Sequence, residues 1–258
     1  MQLSISNIGL QNGEEEAVYA LLQKYGFTGL EIAPSRFVGD APYLKKEEAA
    51  AEAARLKARY GLRIPSMQSI WYGQTGNIFE VHEAQQLIDY TAAAVRFAAA
   101  VGCPSLVFGC PRNRSLPQGK TAQDAVPFFT QLALNAYIHG TAIALEANPP
   151  LYNTNFINTT AEAFAFARSI PHMRVNYDAG TCIINEESLD VLADNLPLVS
   201  HIHISEPQLA LIAPRELHTQ LAALLREKAY PHFVSIEMKS QPLAEVERTL
   251  SYIAEVFA

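Results

Sequence analysis

The sequence predicts an α/β chain, a closed (β/α)8 barrel formed as a single domain over residues 1–258, and three observations predict it. A short β-rich run followed by a longer run with helical spacing recurs eight times from end to end. Strands that alternate with helices imply parallel pairing and right-handed crossovers. The chain length of 258 residues sits near the ~250 typical of such a barrel. An open doubly wound sheet would usually carry a Gly-rich phosphate turn, and no G-x-G-x-x-G follows the first strand.

The elements follow in order. Leu3 to Ser6 is the first strand, and Val18, Leu21, Leu22 and Tyr25 mark one face of the helix after it. Gly29 to Ala33 is the second strand, with a helix from Lys45 to Tyr60. LRIPSMQS, starting at Leu62, is the third, followed by a helix with Leu87, Thr91, Val95 and Ala98 on one stripe. Ser105 to Gly109 is the fourth strand. The next helix carries Pro127 near its first turn and ends at Gly140. Thr141 to Glu146 is the fifth strand, and Thr159 with Glu162 has the spacing of a capping box. Met173 to Asp178, Val199 to Ser205 and His232 to Glu237 are the sixth to eighth strands. Their helices are marked by Leu189 and Leu192, by Leu217, Leu221, Leu224 and Leu225, and by Leu243, Val246, Leu250 and Ile253.

Apolar residues make up 49% of the chain, enough for one large core, and the formal net charge is −7. That charge argues against a nucleic-acid binder, which needs a basic face. Three cysteines, Cys103, Cys110 and Cys182, show no Cys-x-x-Cys spacing and read as small hydrophobes in a reducing compartment. The first residues lack the basic start and apolar run of a signal peptide. The most apolar stretch, TAAAVRFAAAVG, is broken by Arg96 and too short to cross a bilayer. The expectation is a cytoplasmic protein with no membrane partner, as a monomer or a homo-oligomer.

Chemistry in this fold belongs at the C-terminal ends of the strands. Glu146, Asp178 and Glu237 each end an apolar run there, and the seventh strand carries His201 and His203. Glu146, Asp178, His203 and Glu237 are separated by 32, 25 and 34 residues, close to the βα period of about 32 that eight units imply. In a closed barrel the four converge. Three crowded carboxylates raise one another's pKa unless a cation is present. Oxygen-rich ligation with one imidazole suits one divalent metal ion, Mn²⁺ first, with Mg²⁺, Co²⁺ or Zn²⁺ also compatible. His201 and His203 share one strand face, so only one need be a ligand, and His203 is preferred.

Other groups belong to the same mouth. Arg112 and Arg114 follow the fourth strand and suit a phosphate or carboxylate on a substrate, or serve as surface charge. Gln68 and Trp71 follow the third, where an aromatic beside a polar group could wall a sugar ring. Asn148 and Lys239 are further substrate-binding candidates.

LEANPP with Glu146, NYDAGT with Asp178, HIHISEP with His203 and Glu206, and SIEMK with Glu237 resemble the sugar-phosphate isomerase/epimerase superfamily, the xylose-isomerase-like TIM barrels. Ketose 3-epimerases, inosose dehydratases and endonuclease IV nucleases belong to it. The resemblance implies a metal held by Glu146, Asp178, His203 and Glu237, with Glu206 among the substrate-binding residues. It also implies catalytic glutamates at Glu146 and Glu237 that exchange a proton with a sugar or sugar phosphate through an enediolate. The chain departs from the family pattern at Thr181, where a His is often found, and at Tyr152, where a second acidic residue is expected. Pro207 follows Glu206, and the next arginine is Arg215. The leading expectation is a carbohydrate isomerase or epimerase. The alternatives are an inosose-dehydratase-like lyase and a non-catalytic sugar-binding barrel.

Overall fold

The computed structural model describes residues 1–257. Seven strands pair in parallel: β1 (Gln2–Ser6), β2 (Gly29–Glu31), β3 (Ser105–Phe108), β4 (Ala142–Glu146), β5 (Arg174–Asp178), β6 (Val199–Ser205) and β7 (Phe233–Glu237), in the spatial order β2-β1-β7-β6-β5-β4-β3. The gap between β2 and β3 is filled by the stretch expected to be the third strand, and here the expectation is corrected. Residues 63–67 touch their neighbours only through isolated bridges, Gly29 with Arg63, Ile32 with Met67 and Met67 with Leu106. Pro65 has no N–H to donate and breaks the ladder. The backbone on either side of it still closes the ring. The Leu30 N–H donates to the Arg63 carbonyl at 2.9 Å, and the Val107 N–H to the Met67 carbonyl at 2.8 Å. The barrel thus has eight staves, one of them irregular.

Major helices surround it: α1 (Glu15–Lys24), α3 (Lys46–Tyr60), α4 (Val81–Ala100), α5 (Ala122–Ile138), α6 (Thr160–Arg168), α9 (Glu216–Glu227) and α10 (Leu243–Phe257). Three short helices, α2 (Pro34–Val38), α7 (Ala179–Asn185) and α8 (Leu189–Ala193), lie in the connections. The capping box read from Thr159 and Glu162 starts α6, with the Glu162 N–H donating to Thr159 Oγ1 at 3.2 Å. Thr121 and Asp124 form a second one at α5.

Alternate strand residues face opposite sides. Leu3, Ile5, Leu30, Ile32, Phe108, Leu145, Ile202, Ile204, Val234 and Ile236 form the apolar layer under the helices and are buried. The other face turns inward and is small or polar, carrying Ser4, Glu31, Asn176, His201, His203 and Ser235, all buried as well. Gly29 lacks a side chain because a Cβ would lie 2.6 Å from the Phe233 ring and 2.7 Å from Ser4 Cβ. This division puts the apolar core outside the strands and leaves the barrel interior for polar chemistry. No helix among the described residues is long and apolar enough to cross a membrane. The three cysteines are unbridged; Cys103 and Cys182 are buried and Cys110 is half-buried.

Candidate active site

The registers of β4 to β7 place the expected residues side by side. Asp178 pairs with His203, Glu146 with Asn176, and Ser205 with Glu237. His203 Nδ1 lies 3.2 Å from Glu146 Oε2 and 3.2 Å from Glu237 Oε2. Ligand atoms of Asp178, His203 and Glu237 all lie within 4.8 Å of one another. The imidazole is fully buried, whereas the Glu146 and Glu237 side chains are 13% and 12% exposed, so these two carboxylates border the open mouth.

Each group is held by its neighbours. Asn176 Nδ2 donates to Glu146 Oε2 at 2.6 Å, and Asn148 Nδ2 to Glu146 Oε1 at 3.1 Å. Gln68 Nε2 donates to Glu237 Oε1 at 2.9 Å and to Ser6 Oγ at 2.9 Å. Asp178 caps α7, taking the Thr181 N–H at 2.8 Å and the Thr181 hydroxyl at 2.9 Å, and Ser205 donates to its other oxygen. Gly180 makes that last bond possible, since a Cβ there would sit 2.5 Å from Ser205 Oγ. Gly109 likewise gives Glu146 room: a Cβ would come within 3.0 Å of Oε1.

A second layer lies beneath. His203 Nε2 is 2.9 Å from Glu31 Oε2, and His201 Nε2 is 2.7 Å from the same oxygen. Ser66 donates to it too, and Gln68 Nε2 is 3.2 Å from Glu31 Oε1. Glu31 is fully buried. A carboxylate behind one imidazole nitrogen orients the ring and leaves the other nitrogen for the mouth. Glu31, His201 and His203 also bring ligand atoms within 4.8 Å of one another.

Burial alone would raise the Glu31 pKa, but the charges and hydrogen bonds of His203 and His201 hold it well below the usual carboxylate range. Burial would lower His203, yet Glu237, Glu31 and Glu146 push it well above the ordinary imidazole value. Burial lowers His201. Glu237 is raised to about 7 by burial and by the charges of Glu146 and Asp178, against the pull of His203. Asp178 is raised by burial and by Glu146. The mouth is therefore short of positive charge. Three carboxylates face one imidazole, and Asn176 Oδ1 lies buried without a partner. Hard oxygen donors with one nitrogen are the donor set of a divalent cation, and the residues fit one.

Several expected substrate contacts are placed elsewhere. Trp71 is 4% exposed, donates its indole N–H to Thr91 Oγ1 at 2.8 Å, and packs edge-on against Phe108 and Phe128. It is part of the layer under α4 and α5, not a wall of the mouth, because its ring and its N–H both find partners there. Glu206 is buried and both its oxygens are taken by Arg215, with Nε to Oε1 at 2.7 Å, so it is a structural ion pair and not a free substrate contact. Arg112 and Lys239 are exposed and, among the described residues, form no ion pair. Arg114 is fully buried and donates to Asn148 Oδ1 at 2.9 Å. Gln68 and Asn148 do border the cluster, each with its amide committed to a glutamate.

Three residues of this site escape the sequence reading: Glu31, Ser66 and Asn176. Asn176 shares a strand face with Asp178 two residues on, and Glu31 is a charge inside the apolar run GLEIA, so both left a signal. Tyr152 stands where an acidic residue is expected. Its hydroxyl accepts the Gln208 N–H at 3.0 Å, and burial raises its pKa, with the charges of Asp178, Glu237 and Glu146 adding to the rise.

An eight-staved α/β barrel with a carboxylate-rich mouth is the class this fold and site define. The chain belongs to the xylose isomerase-like TIM barrel family, whose model matches residues 19–256. No curated protein matches the sequence. Among solved structures, the apo 3-keto-D-glucoside 4-epimerase from E. coli superposes with a TM-score of 0.77 at 20% identity, covering 99% of both chains. D-Psicose 3-epimerase with D-tagatose from Clostridium cellulolyticum H10 gives 0.78 at 14% identity, covering 100% of this chain and 99% of the other. The IolI protein with a bound zinc atom gives 0.70 at 14%, covering 100% and 95%. At these identities the likeness is one of fold.

Proposed function

We propose that the protein is a metal-dependent carbohydrate isomerase or epimerase acting on a small keto sugar. One divalent cation is held by Glu146, Asp178, His203 and Glu237, with Mn²⁺ the first candidate. The observation that carries the reading is the placement of Glu146 and Glu237, each 3.2 Å from His203 Nδ1 and each opening to the mouth. The names of the epimerases of like fold support it.

When bound, the cation supplies Lewis-acid chemistry that acidifies the carbon between a carbonyl and a hydroxyl. The protein side of the reaction then follows from the residues. Glu146 and Glu237 come from β4 and β7, so they approach a sugar in the mouth from different sides. One carboxylate removes the proton from one face, and the other, entering protonated, returns a proton to the opposite face. Asn176 and Asn148 fix Glu146, and Gln68 fixes Glu237, so neither must reorient during the transfer.

The test combines metal analysis with a panel of keto sugars in D₂O. The expected result is about one metal per chain, as a single site implies, and solvent deuterium at the carbon that inverts. Turnover without exchange at any carbon would overturn the two-carboxylate route and favour a hydride shift. A product lighter by one water would make the enzyme a lyase instead.

A further inference from the structure

Arg114 lies in the loop after β3 and is fully buried, which is rare for arginine without a carboxylate partner. None of its hydrogen bonds reaches a carboxylate. Nη2 donates to Asn148 Oδ1 at 2.9 Å and more weakly to the Ile157 carbonyl at 3.4 Å, while Nε and Nη1 have no partner. Burial pulls its pKa down to about 10, so it is still charged at neutral pH. A neutral side chain could clamp the loop with a far smaller desolvation cost.

The consequence of the charge lies in the amide it touches. The two ends of an asparagine side chain are almost alike in shape and opposite in chemistry. A guanidinium only donates, so Asn148 must present Oδ1 to it. Nδ2 is then left facing Glu146 Oε1, at 3.1 Å. The flipped amide would set N–H against N–H at Arg114 and oxygen against carboxylate oxygen at Glu146. The backbone of Asn148 is pinned as well. Its N–H donates to the Ile157 carbonyl at 3.0 Å, and its carbonyl accepts from Asn158 Nδ2 at 2.7 Å. What remains is the side-chain orientation, which Arg114 holds at Oδ1 while Nδ2 donates to Glu146 Oε1 and to the Ala147 carbonyl, each at 3.1 Å. On the far oxygen, Asn176 completes the hold on Glu146.

We propose that Arg114 is a positioning residue that acts through Asn148 to fix the Glu146 carboxylate, and that it does not contact the substrate. The proposal rests on the reading of Glu146 as a metal ligand. The experiment is a Mn²⁺ titration of the full chain, followed by calorimetry and by the electron paramagnetic resonance spectrum of the bound ion. Arg114→Met should weaken Mn²⁺ binding by about tenfold, the low end for loss of a group that orients a ligand, and should broaden the spectrum. Asn148→Ala should do the same. The double variant should be no weaker than Asn148→Ala alone, because the two residues act in series. Arg114→Lys, which still donates only, should restore most of the affinity. Melting curves in EDTA report any loss of fold separately.

Wild-type affinity and spectrum in Arg114→Met would overturn the proposal, as would losses that multiply in the double variant. If Arg114→Met does not fold, Arg114→Lys placed on Asn148→Ala decides: unchanged affinity supports the series, and a further loss overturns it. Wild-type protein that binds no Mn²⁺ would instead refute the reading of Glu146 as a ligand.

Discussion

Replacing Glu31 by Gln keeps the shape of the side chain and removes its charge. Glu31 Oε2 sits 2.7 Å from His201 Nε2 and 2.9 Å from His203 Nε2, with Ser66 donating to the same atom. Its other oxygen accepts from Gln68 at 3.2 Å. A glutamine has one oxygen to offer, so one of these two sets of donors must meet an NH₂ group. All of the partners are buried, so the lost bonds are not replaced by water. Breaking a buried charge pair by removing one member typically costs about 3–5 kcal/mol. Because His203 would lose the group that orients its ring, Mn²⁺ affinity should fall by about 10- to 100-fold, or about 1.4–2.8 kcal/mol. The assays are a Mn²⁺ titration and a denaturant melt in EDTA, wild type against Glu31→Gln. If Mn²⁺ affinity stays within twofold and the melt does not shift, the layer beneath the mouth does not support it.

Metal binding should strengthen with pH. In the metal-free protein, His203 titrates well above the ordinary imidazole value and Glu237 at about 7, so both hold protons at pH 6 that a cation must displace. Affinity should therefore rise by about 50-fold from pH 6 to 7, and by about tenfold per unit above, once Glu237 has ionised; a titration series with flat affinity would contradict this. Trp71→Phe should lower stability by about 1 kcal/mol through the lost bond to Thr91, read by a thermal melt, and leave KM for any substrate found unchanged. Gly29→Ala should destabilise by about 1–3 kcal/mol, because its Cβ would overlap the Phe233 ring and Ser4; a denaturant melt with an unshifted midpoint would show that the barrel floor yields easily.

Much of the fold is legible because strand and helix periods differ, and the eight staves fall where the alternation puts them. The third expected strand shows the limit. Its apolar pattern is that of a strand, but Pro65 removes a donor, and only the closure of the ring recruits that segment as a stave. The convergence of Glu146, Asp178, His203 and Glu237 is legible from the barrel period, since equal steps along the chain become equal positions around the mouth. Loop side chains follow no such rule. Trp71 turns outward to Thr91, and Glu206 pairs with Arg215, nine residues on and across a turn that no periodicity predicts. Glu31 is hidden for a different reason. A single charge inside an apolar strand reads as an exception until the barrel closes and brings two imidazoles onto it.

The central claim is that one divalent cation occupies the mouth above His203, held by Glu146, Asp178, His203 Nδ1 and Glu237. Two groups of ligand atoms meet at this imidazole, one at the mouth and one beneath it with Glu31 and His201. A crystal structure of Mn²⁺-soaked protein with anomalous data at the manganese edge separates them. The account predicts one anomalous peak on the Nδ1 side of His203, within coordination distance of the three mouth carboxylates. A peak on the Nε2 side, between Glu31 and His201, would contradict it.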